Sequence, residues 1–287
     1  MKILVTGANG YIGRHVVSEL LDKGQEVIAC DLRLQDMDAR VKTFEANLFT
    51  LSGNIYEQAG CPDVCIHLAW RDGFVHNSDN HIGDLSAHYR FLSSMITNGL
   101  KHLVVMGTMH EVGYHEGKID EHTPCNPLSM YGIAKDALRR AMTLYCNQHD
   151  CLLQWCRAFY ILGDDRRNHS IFTKLLEADE KGMKTFPFTT GKNMYDFISV
   201  EELARQITAV ATQTAVTGII NCCSGKPVSL AERVEQYIKE HHLKIELEYG
   251  AYPDRPYDSP CIYGDNTRIR CIDQSCQNDG EGVKYSH

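Results

Sequence analysis

The stretch "KILVTGANGYIGRHVVSELLDKG", residues 2–24, changes its hydrophobic period part-way along. Ile3, Leu4 and Val5 form a short continuous apolar run that ends at a glycine, which reads as a buried strand. From Ile12 onward, Val16, Val17, Leu20 and Leu21 recur at helical spacing, and Gly24 supplies the stop. Between the two lie Gly7, Gly10 and Gly13, spaced GxxGxxG. One glycine permits the tight turn, another lets the backbone approach a phosphate, and the third lets the helix pack close to the strand. The helix start then presents unpaired amides and a partial positive charge, which suits a pyrophosphate. The next strand, "EVIAC", runs into Asp31, eighteen residues after Gly13. A carboxylate there accepts hydrogen bonds from the ribose hydroxyls of an adenosine and repels a 2′-phosphate. NAD(H) is therefore expected in preference to NADP(H). Arg33 opposes this, since a guanidinium can hold a 2′-phosphate, and it keeps NADP(H) open.

Working outward, strands and helices go on alternating. "KTFEA" (42–46), "DVCIHLA" (63–69), "HLVVMG" (102–107) and "LLQWCRAF" (152–159) read as further strands, with a long helix over 81–97. Repeated strand–helix units imply a parallel sheet covered by helices on both faces. After residue 163 the pattern breaks at "DDRRNHS". A helix at 200–213, a strand at 218–222 and a helix at 229–240 follow, and we read them as a smaller lobe laid against the first. The expected division is a nucleotide-binding domain at 1–163, an interleaved smaller lobe at 164–270, and a loose polar tail at 271–287.

The 287 residues are 43% hydrophobic and 23% charged, enough to bury a core. A formal charge of −8 leaves no electrostatic footprint for nucleic acid. The twelve cysteines make no pair of CxxC units, so neither a metal nor a disulfide framework is expected, only buried thiols in a reducing cytosol. The N-terminus lacks a signal-peptide core, and no apolar run is long enough to span a bilayer. A cytoplasmic protein without a membrane partner is expected.

A second stretch, "NPLSMYGIAKDALRRAM" at 126–142, sets Tyr131 and Lys135 four residues apart on one helix face. Alone it could be a surface pair. Taken in order with "TGANGYIG" (6–13), Asp31, "HLAW" (67–70), "VVMGT" (104–108), "RAFYILG" (157–163), "YDFISVEELA" (195–204) and "INCCSGKPVSL" (220–230), it resembles the extended short-chain dehydrogenase/reductase family, the NAD-dependent epimerase/dehydratases of nucleotide sugars. The resemblance covers the chain to about residue 268. It implies an α/β fold, a Rossmann-type doubly wound parallel sheet with a smaller C-terminal substrate-binding lobe. It implies Tyr131, Lys135 and Thr108 as catalytic residues. A tyrosine, whose free pKa is near 10, would be brought toward neutrality by Lys135 and by a positive nicotinamide ring, so that it can exchange a proton with a sugar oxygen. Thr108 would orient that oxygen.

The resemblance also puts Gly7, Asn9, Gly10, Tyr11, Ile12 and Gly13 against the dinucleotide phosphates, and Asp31, Leu32 and Arg33 beside the ribose. Asn47 and Leu48 would lie by the adenine, with Asn47 where the family has an acidic residue. Leu68 and Ala69 would line the nicotinamide side, with Trp70 in a place where a small residue is usual. Trp70 either narrows the substrate mouth or packs under a loop. On the substrate side it implies Thr108, Met109, His110, Tyr160 and Arg255. Tyr160 stands where an asparagine is frequent, and Tyr195 where an arginine is common. The residues after Thr108 depart from the Asp–Glu pair of the 4,6-dehydratases, with Glu111 one place late. Met109 cannot ionise as the cysteine of the fucose-synthase branch does. A 4-ketoreductase for a nucleotide-linked 4-keto-6-deoxyhexose and a 4-epimerase remain, the short C-terminal lobe favouring the reductase. A non-catalytic NAD(P)-binding sensor is the reading from another class. A homodimer is expected through the helix near 81–97 and the Tyr131 helix, with Ala87, Phe91, Met95, Ala137, Ala141 and Leu144 as contacts.

Overall fold

The computed structural model describes residues 1–163, 170–254 and 259–281, with side chains described to residue 274. The chain runs β1 (Lys2–Thr6), α1 (Tyr11–Asp22), β2 (Glu26–Asp31), β3 (Lys42–Glu45), α2 (Ile55–Gln58), β4 (Val64–His67), α3 (Asn80–Gly83), α4 (Leu85–Thr97) and β5 (His102–Thr108). A 3-10 turn at Met109–Glu111 follows, then β6 (Gly117–Ile119), α5 (Met130–Gln148), β7 (Leu152–Ala158), β8 (Tyr160–Leu162), α6 (Ile171–Glu180) and β9 (Thr185–Pro187). The last elements are β10 (Met194–Ser199), α7 (Val200–Ala211), β11 (Gly218–Cys222), β12 (Pro227–Ser229), α8 (Leu230–Glu240), β13 (Glu246–Glu248), β14 (Cys261–Gly264) and α9 (Thr267–Glu281).

Seven strands form one parallel sheet in the order β11-β7-β5-β4-β1-β2-β3. The order reverses at β1, which leaves a crevice at the carboxyl ends of β1 and β4. Each strand serves two cores because successive side chains point to opposite faces. Ile3 and Val5 of β1 pack with Val16 and Leu20 of α1, Leu203 and Ile207 of α7, and Ile269 and Ile272 of α9. Leu4 faces the other way, toward Phe91 and Met95 of α4 and Leu138 and Met142 of α5. β5 divides in the same manner, Val104 and Met106 to the first core and Leu103 and Val105 to the second. This double burial is why the strands read as continuous apolar runs.

The smaller lobe is a sheet of β12-β10-β14-β6 with β8 on β10, plus the pair β13-β9. Its core gathers Phe172, Leu175, Phe188, Val234 and Tyr237. The two parts exchange segments. β11 and α7 come after residue 163 yet complete the large sheet and its helical layer, while β6 leaves the first half to join the lobe.

Two expectations are corrected here. The helix expected over 81–97 is broken at Asp84, whose carboxylate receives Arg71 Nε and Nη2 at 2.5 and 2.9 Å. The stretch from 271, expected as a loose tail, continues α9 to Glu281. Ile269 and Ile272 are buried on the sheet, and Asp273 receives two hydrogen bonds of 2.9 Å from Arg205 of α7. Its apolar anchors are few, so the sequence pattern is weak.

Candidate active site

The glycine loop forms the floor. Gly7 sits at φ +68°, and a Cβ there would lie 2.7 Å from the Ala69 amide nitrogen. At Gly13 a Cβ would come within 2.0 Å of the Gly7 carbonyl oxygen, so α1 can approach β1 this closely only with glycine. Gly10 is the N-cap of α1 and offers no side-chain cap, and the first turn holds no acidic residue. The first-turn amides thus lack the capping oxygen that most helix starts carry, an arrangement that suits an anion. The loop is tied to the second strand: Asp31 Oδ2 accepts from the Asn9 amide at 2.9 Å, and Asp31 Oδ1 from the Leu32 amide at 2.7 Å. Asn9 Nδ2 donates to the Arg33 carbonyl at 2.8 Å. Leu32 and Arg33 are exposed, and Tyr11 and Ile12 begin α1 half-buried. These residues fit a dinucleotide: an uncapped helix start, room above Gly10, and a carboxylate at the end of β2.

Asn47 is exposed and caps its own turn by accepting from the Phe49 amide at 3.0 Å, while Leu48 is buried against the second core. Leu68 packs on the first core, and Ala69 lies against the glycine loop.

Tyr131 opens α5. Ser129 Oγ accepts from the Gly132 amide at 3.1 Å and so starts the helix. A Cβ on Gly132 would lie 2.3 Å from the His110 carbonyl oxygen. That close approach sets Tyr131 against the end of β5, with the Thr108 side chain beside its phenol. Lys135, one turn on, is 2% exposed. Its Nζ donates to the Met106 carbonyl at 2.8 Å and lies 3.8 Å from the centre of the Trp70 ring. The centre of the Tyr131 ring is 5.9 Å away. The structure therefore brings the three expected catalytic residues together.

The protein's own groups act against the expected lowering of the Tyr131 phenol. Burial, then the Glu111 charge, push the Tyr131 phenol above its ordinary value, with the Thr108 hydrogen bond acting the other way. Burial brings the Lys135 ammonium down to about 7, against the pull of Glu111. The protein by itself thus holds Tyr131 as a phenol, because desolvation outweighs a lysine that faces Trp70 and Met106.

Glu111, one place late for a dehydratase pair, is fully buried. Its Oε1 accepts from the Thr108 amide at 2.8 Å and from Trp155 Nε1 at 2.9 Å. Its Oε2 lies 3.6 Å from Arg157 Nε and 3.8 Å from Arg139 Nε. It is a structural carboxylate that fixes the turn after β5. Met109 is buried in the smaller lobe's inner core. His110 is half-buried. Burial, with His76 beside it at 4.3 Å between ring centres, brings it down to about 3, so it is neutral near pH 7.

The sequence did not single out a group of histidines around this pair. His76 stacks on Tyr131 at 5.6 Å, and His81 lies 5.2 Å from the same ring. His67 joins Thr6 Oγ1 at 2.8 Å and His88 at 3.0 Å. They come from β4, the following loop, α3 and α4, and no spacing in the chain connects them. Tyr160 is half-buried, with Tyr195 at 4.3 Å and Phe197 at 5.8 Å between ring centres. Tyr195 is 7% exposed, part of the lobe's core. Arg255 lies outside the described residues.

The sequence profile of the NAD dependent epimerase/dehydratase family matches residues 3–223, from β1 to just beyond β11. The chain belongs to this family. Among its relatives is a dTDP-6-deoxy-L-talose 4-dehydrogenase (NAD(+)) of Aggregatibacter actinomycetemcomitans, 45% identical over 92% of this chain and 99% of the relative. A GDP-6-deoxy-D-talose 4-dehydrogenase of the same organism is 23% identical over 94% of this chain and 90% of its own length. The fold is that of solved 4-epimerases. The UDP-glucuronic acid 4-epimerase of Bacillus cereus, in complex with UDP-glucuronic acid and NAD, superposes with a TM-score of 0.80 at 18% identity, covering 96% of this chain and 93% of that one. The UDP-glucose 4-epimerase of Thermus thermophilus, complexed with NAD, gives 0.79 at 19% identity, covering 100% and 95%. Membership of this family makes the NAD-dependent Rossmann reading of the glycine loop that of the whole chain.

Proposed function

We propose that this family member is an NAD-dependent oxidoreductase that interconverts a dTDP-linked 6-deoxy-talose and its 4-keto form. The observation that carries the reading is the gathering of Thr108, Tyr131 and Lys135 at the end of β5, with Lys135 one turn along α5 from Tyr131, near an uncapped α1 start. The near full-length likeness to the talose dehydrogenase supports the choice of sugar.

NAD, when bound, supplies the hydride acceptor and, reduced, the donor. The residues that would hold it are Gly7, Asn9, Gly10, Tyr11, Ile12 and Gly13 at the phosphates, Asp31, Leu32 and Arg33 at the ribose, and Leu68, Ala69 and Lys135 toward the nicotinamide side. Thr108 orients the C4 oxygen, and Tyr131 gives it a proton in reduction or takes one in oxidation. A buried phenol that keeps its proton suits reduction, since it stands ready to donate to the alkoxide forming at C4.

Incubation with dTDP-6-deoxy-L-talose and either NAD+ or NADP+, at one ionic strength, tests the reading. Stoichiometric NADH formation is expected, with NAD+ preferred because Asp31 closes the end of β2. Conversion to another sugar without net NADH would make the enzyme an epimerase. Binding of NAD+ without turnover of any nucleotide sugar would leave a sensor. A tenfold preference for NADP+, about 1.4 kcal/mol, would show that Arg33 outweighs Asp31.

We also propose a homodimer, keeping Ala137, Ala141 and Leu144 of the expected contacts and setting aside Ala87, Phe91 and Met95. Phe91 and Met95 are 1% and 0% exposed in the monomer and belong to its own core. What remains outside is an open apolar groove of about 410 Å³ between α3–α4 and α5, lined by Ile82, Leu85, Tyr89, Ala137 and Ala141. Leu144 (60% exposed) and Ile133 (43%) extend the apolar character of α5. Sedimentation at micromolar concentration is expected to give a dimer, and Ala137→Arg/Ala141→Arg a monomer. A wild-type monomer would remove the proposal. No described helix is long and apolar enough to cross a membrane, and the eleven described cysteines are free thiols, which supports a cytoplasmic setting.

A further inference from the structure

We propose that Trp70 is a positioning residue for the Tyr131–Lys135 pair, its indole face seating the Lys135 ammonium at the foot of Tyr131. This rests on the proton-transfer role given to that pair above. Lys135 is almost wholly buried, with Nζ 3.8 Å from the centre of the Trp70 ring and one hydrogen bond, of 2.8 Å, to Met106. An indole is the best aromatic partner for a cation, and the attraction grows when water is excluded. No small residue at position 70 could make this contact.

The indole itself is held. Trp70 Nε1 donates to His81 Nδ1 at 3.0 Å. An indole nitrogen can only donate, so His81 Nδ1 carries the lone pair and its Nε2 the proton, which is given to the Val75 carbonyl at 3.0 Å. His88 stacks on the indole at 4.3 Å and 12°. The loop so anchored also holds the start of α5: the His76 carbonyl accepts from the Tyr131 amide at 2.9 Å, and Asn77 Oδ1 from the Met130 amide at 3.2 Å. Trp70 therefore joins the strap over Tyr131 to the ammonium below it.

The titratable groups facing Lys135 are Tyr131 on its own helix, Glu111 from the turn after β5, His67 of β4 and His88 of α4. Both histidines are kept neutral by burial, and Glu111 is engaged by Arg157 and Arg139. Weakening the indole face thus leaves less to offset the desolvation of the ammonium. Lys135 then loses its proton at lower pH, and Tyr131 becomes a base only at higher pH.

The test is to replace tryptophan biosynthetically with 5-fluoro- and then 5,7-difluorotryptophan, which withdraws electron density from the ring face with little change of shape. Two quantities are followed: the acid limb of the kcat/KM profile for dTDP-6-deoxy-L-talose at saturating NAD+, and the titration midpoint of Lys135 by ¹³C NMR of its labelled Cε, assigned by its loss in Lys135→Met. The acid limb is expected to move up stepwise and the Lys135 midpoint down, each by about one unit across the series, the size of a desolvated cation–π contact. In Trp70→Phe, where only Trp155 takes the label, fluorination is expected to change neither. A Lys135 midpoint that stays fixed across the series overturns the inference. Should Tyr131→Phe retain full turnover, the proton-transfer reading fails instead, and the NMR midpoint still decides whether Trp70 seats the lysine.

Discussion

Tyr131→Phe is expected to lower turnover of the talose nucleotide by about 10²–10⁴-fold, the usual worth of general acid–base catalysis, while NAD+ affinity stays within a few-fold of wild type. The substitution removes one oxygen and keeps the ring that packs against His76 and His81. Thr108→Val should lower turnover as well, but it carries a second effect. Thr108 Oγ1 caps the following turn by accepting from the His110 amide at 3.3 Å, so the valine variant should also be less stable. Thr108→Ser keeps the hydroxyl and separates the two effects. Groups that act as one unit are not additive, so Tyr131→Phe/Thr108→Val should be little slower than Tyr131→Phe. Lys135→Met should harm both rate and NAD+ affinity. Steady-state kinetics with calorimetric NAD+ titrations check the set, and wild-type turnover in Tyr131→Phe would make the α5 pair structural only.

Gly10→Val and Gly13→Ala should fail in different ways, although both glycines belong to one motif. A Cβ at Gly10 meets only the Gly7 carbonyl, at 3.1 Å, and the backbone there is extended at φ −74°. The valine should leave the fold intact and put its methyl groups where the phosphates approach, so NAD+ binding should fall by at least about 100-fold, or roughly 2.7 kcal/mol. At Gly13 even a single methyl group would overlap the Gly7 carbonyl, at 2.0 Å. Gly13→Ala should therefore lose stability first, by about 1–3 kcal/mol for overpacking, and bind NAD+ poorly as a consequence. Thermal unfolding distinguishes them. An unchanged NAD+ affinity in Gly10→Val would disprove the phosphate site over the loop.

The legible parts of this protein were those written in consecutive residues. The β1–loop–α1 unit could be read because a change of period and three glycines stand within a dozen positions. The Tyr131–Lys135 pair could be read because helix geometry fixes what residues four apart share. Thr108 came from the family resemblance, and the structure sets it on the Tyr131 phenol. The α9 helix was missed because its two anchoring isoleucines give too little periodicity beside a polar majority. The break at Asp84 was missed because it spans a single residue and leaves the apolar spacing of the stretch unchanged. Of the expected dimer contacts, Phe91 and Met95 failed because an apolar helix face looks the same in sequence whether a sheet or a second subunit covers it.

By itself the sequence determined the parallel sheet, the glycine loop and the pairing of Tyr131 with Lys135 on one helix face, since each follows from local periodicity, local backbone freedom or fixed helical spacing. Only the tertiary structure decided the state of those residues. Burial sets the protonation of Tyr131, Lys135 and His110, and burial is a property of what other segments bring near. The tertiary structure likewise buried Glu111 beside Arg139 and Arg157 and tied it to the Thr108 amide and Trp155. And it placed Trp70 on Lys135, a contact between positions 65 apart, where no local rule relates the two side chains.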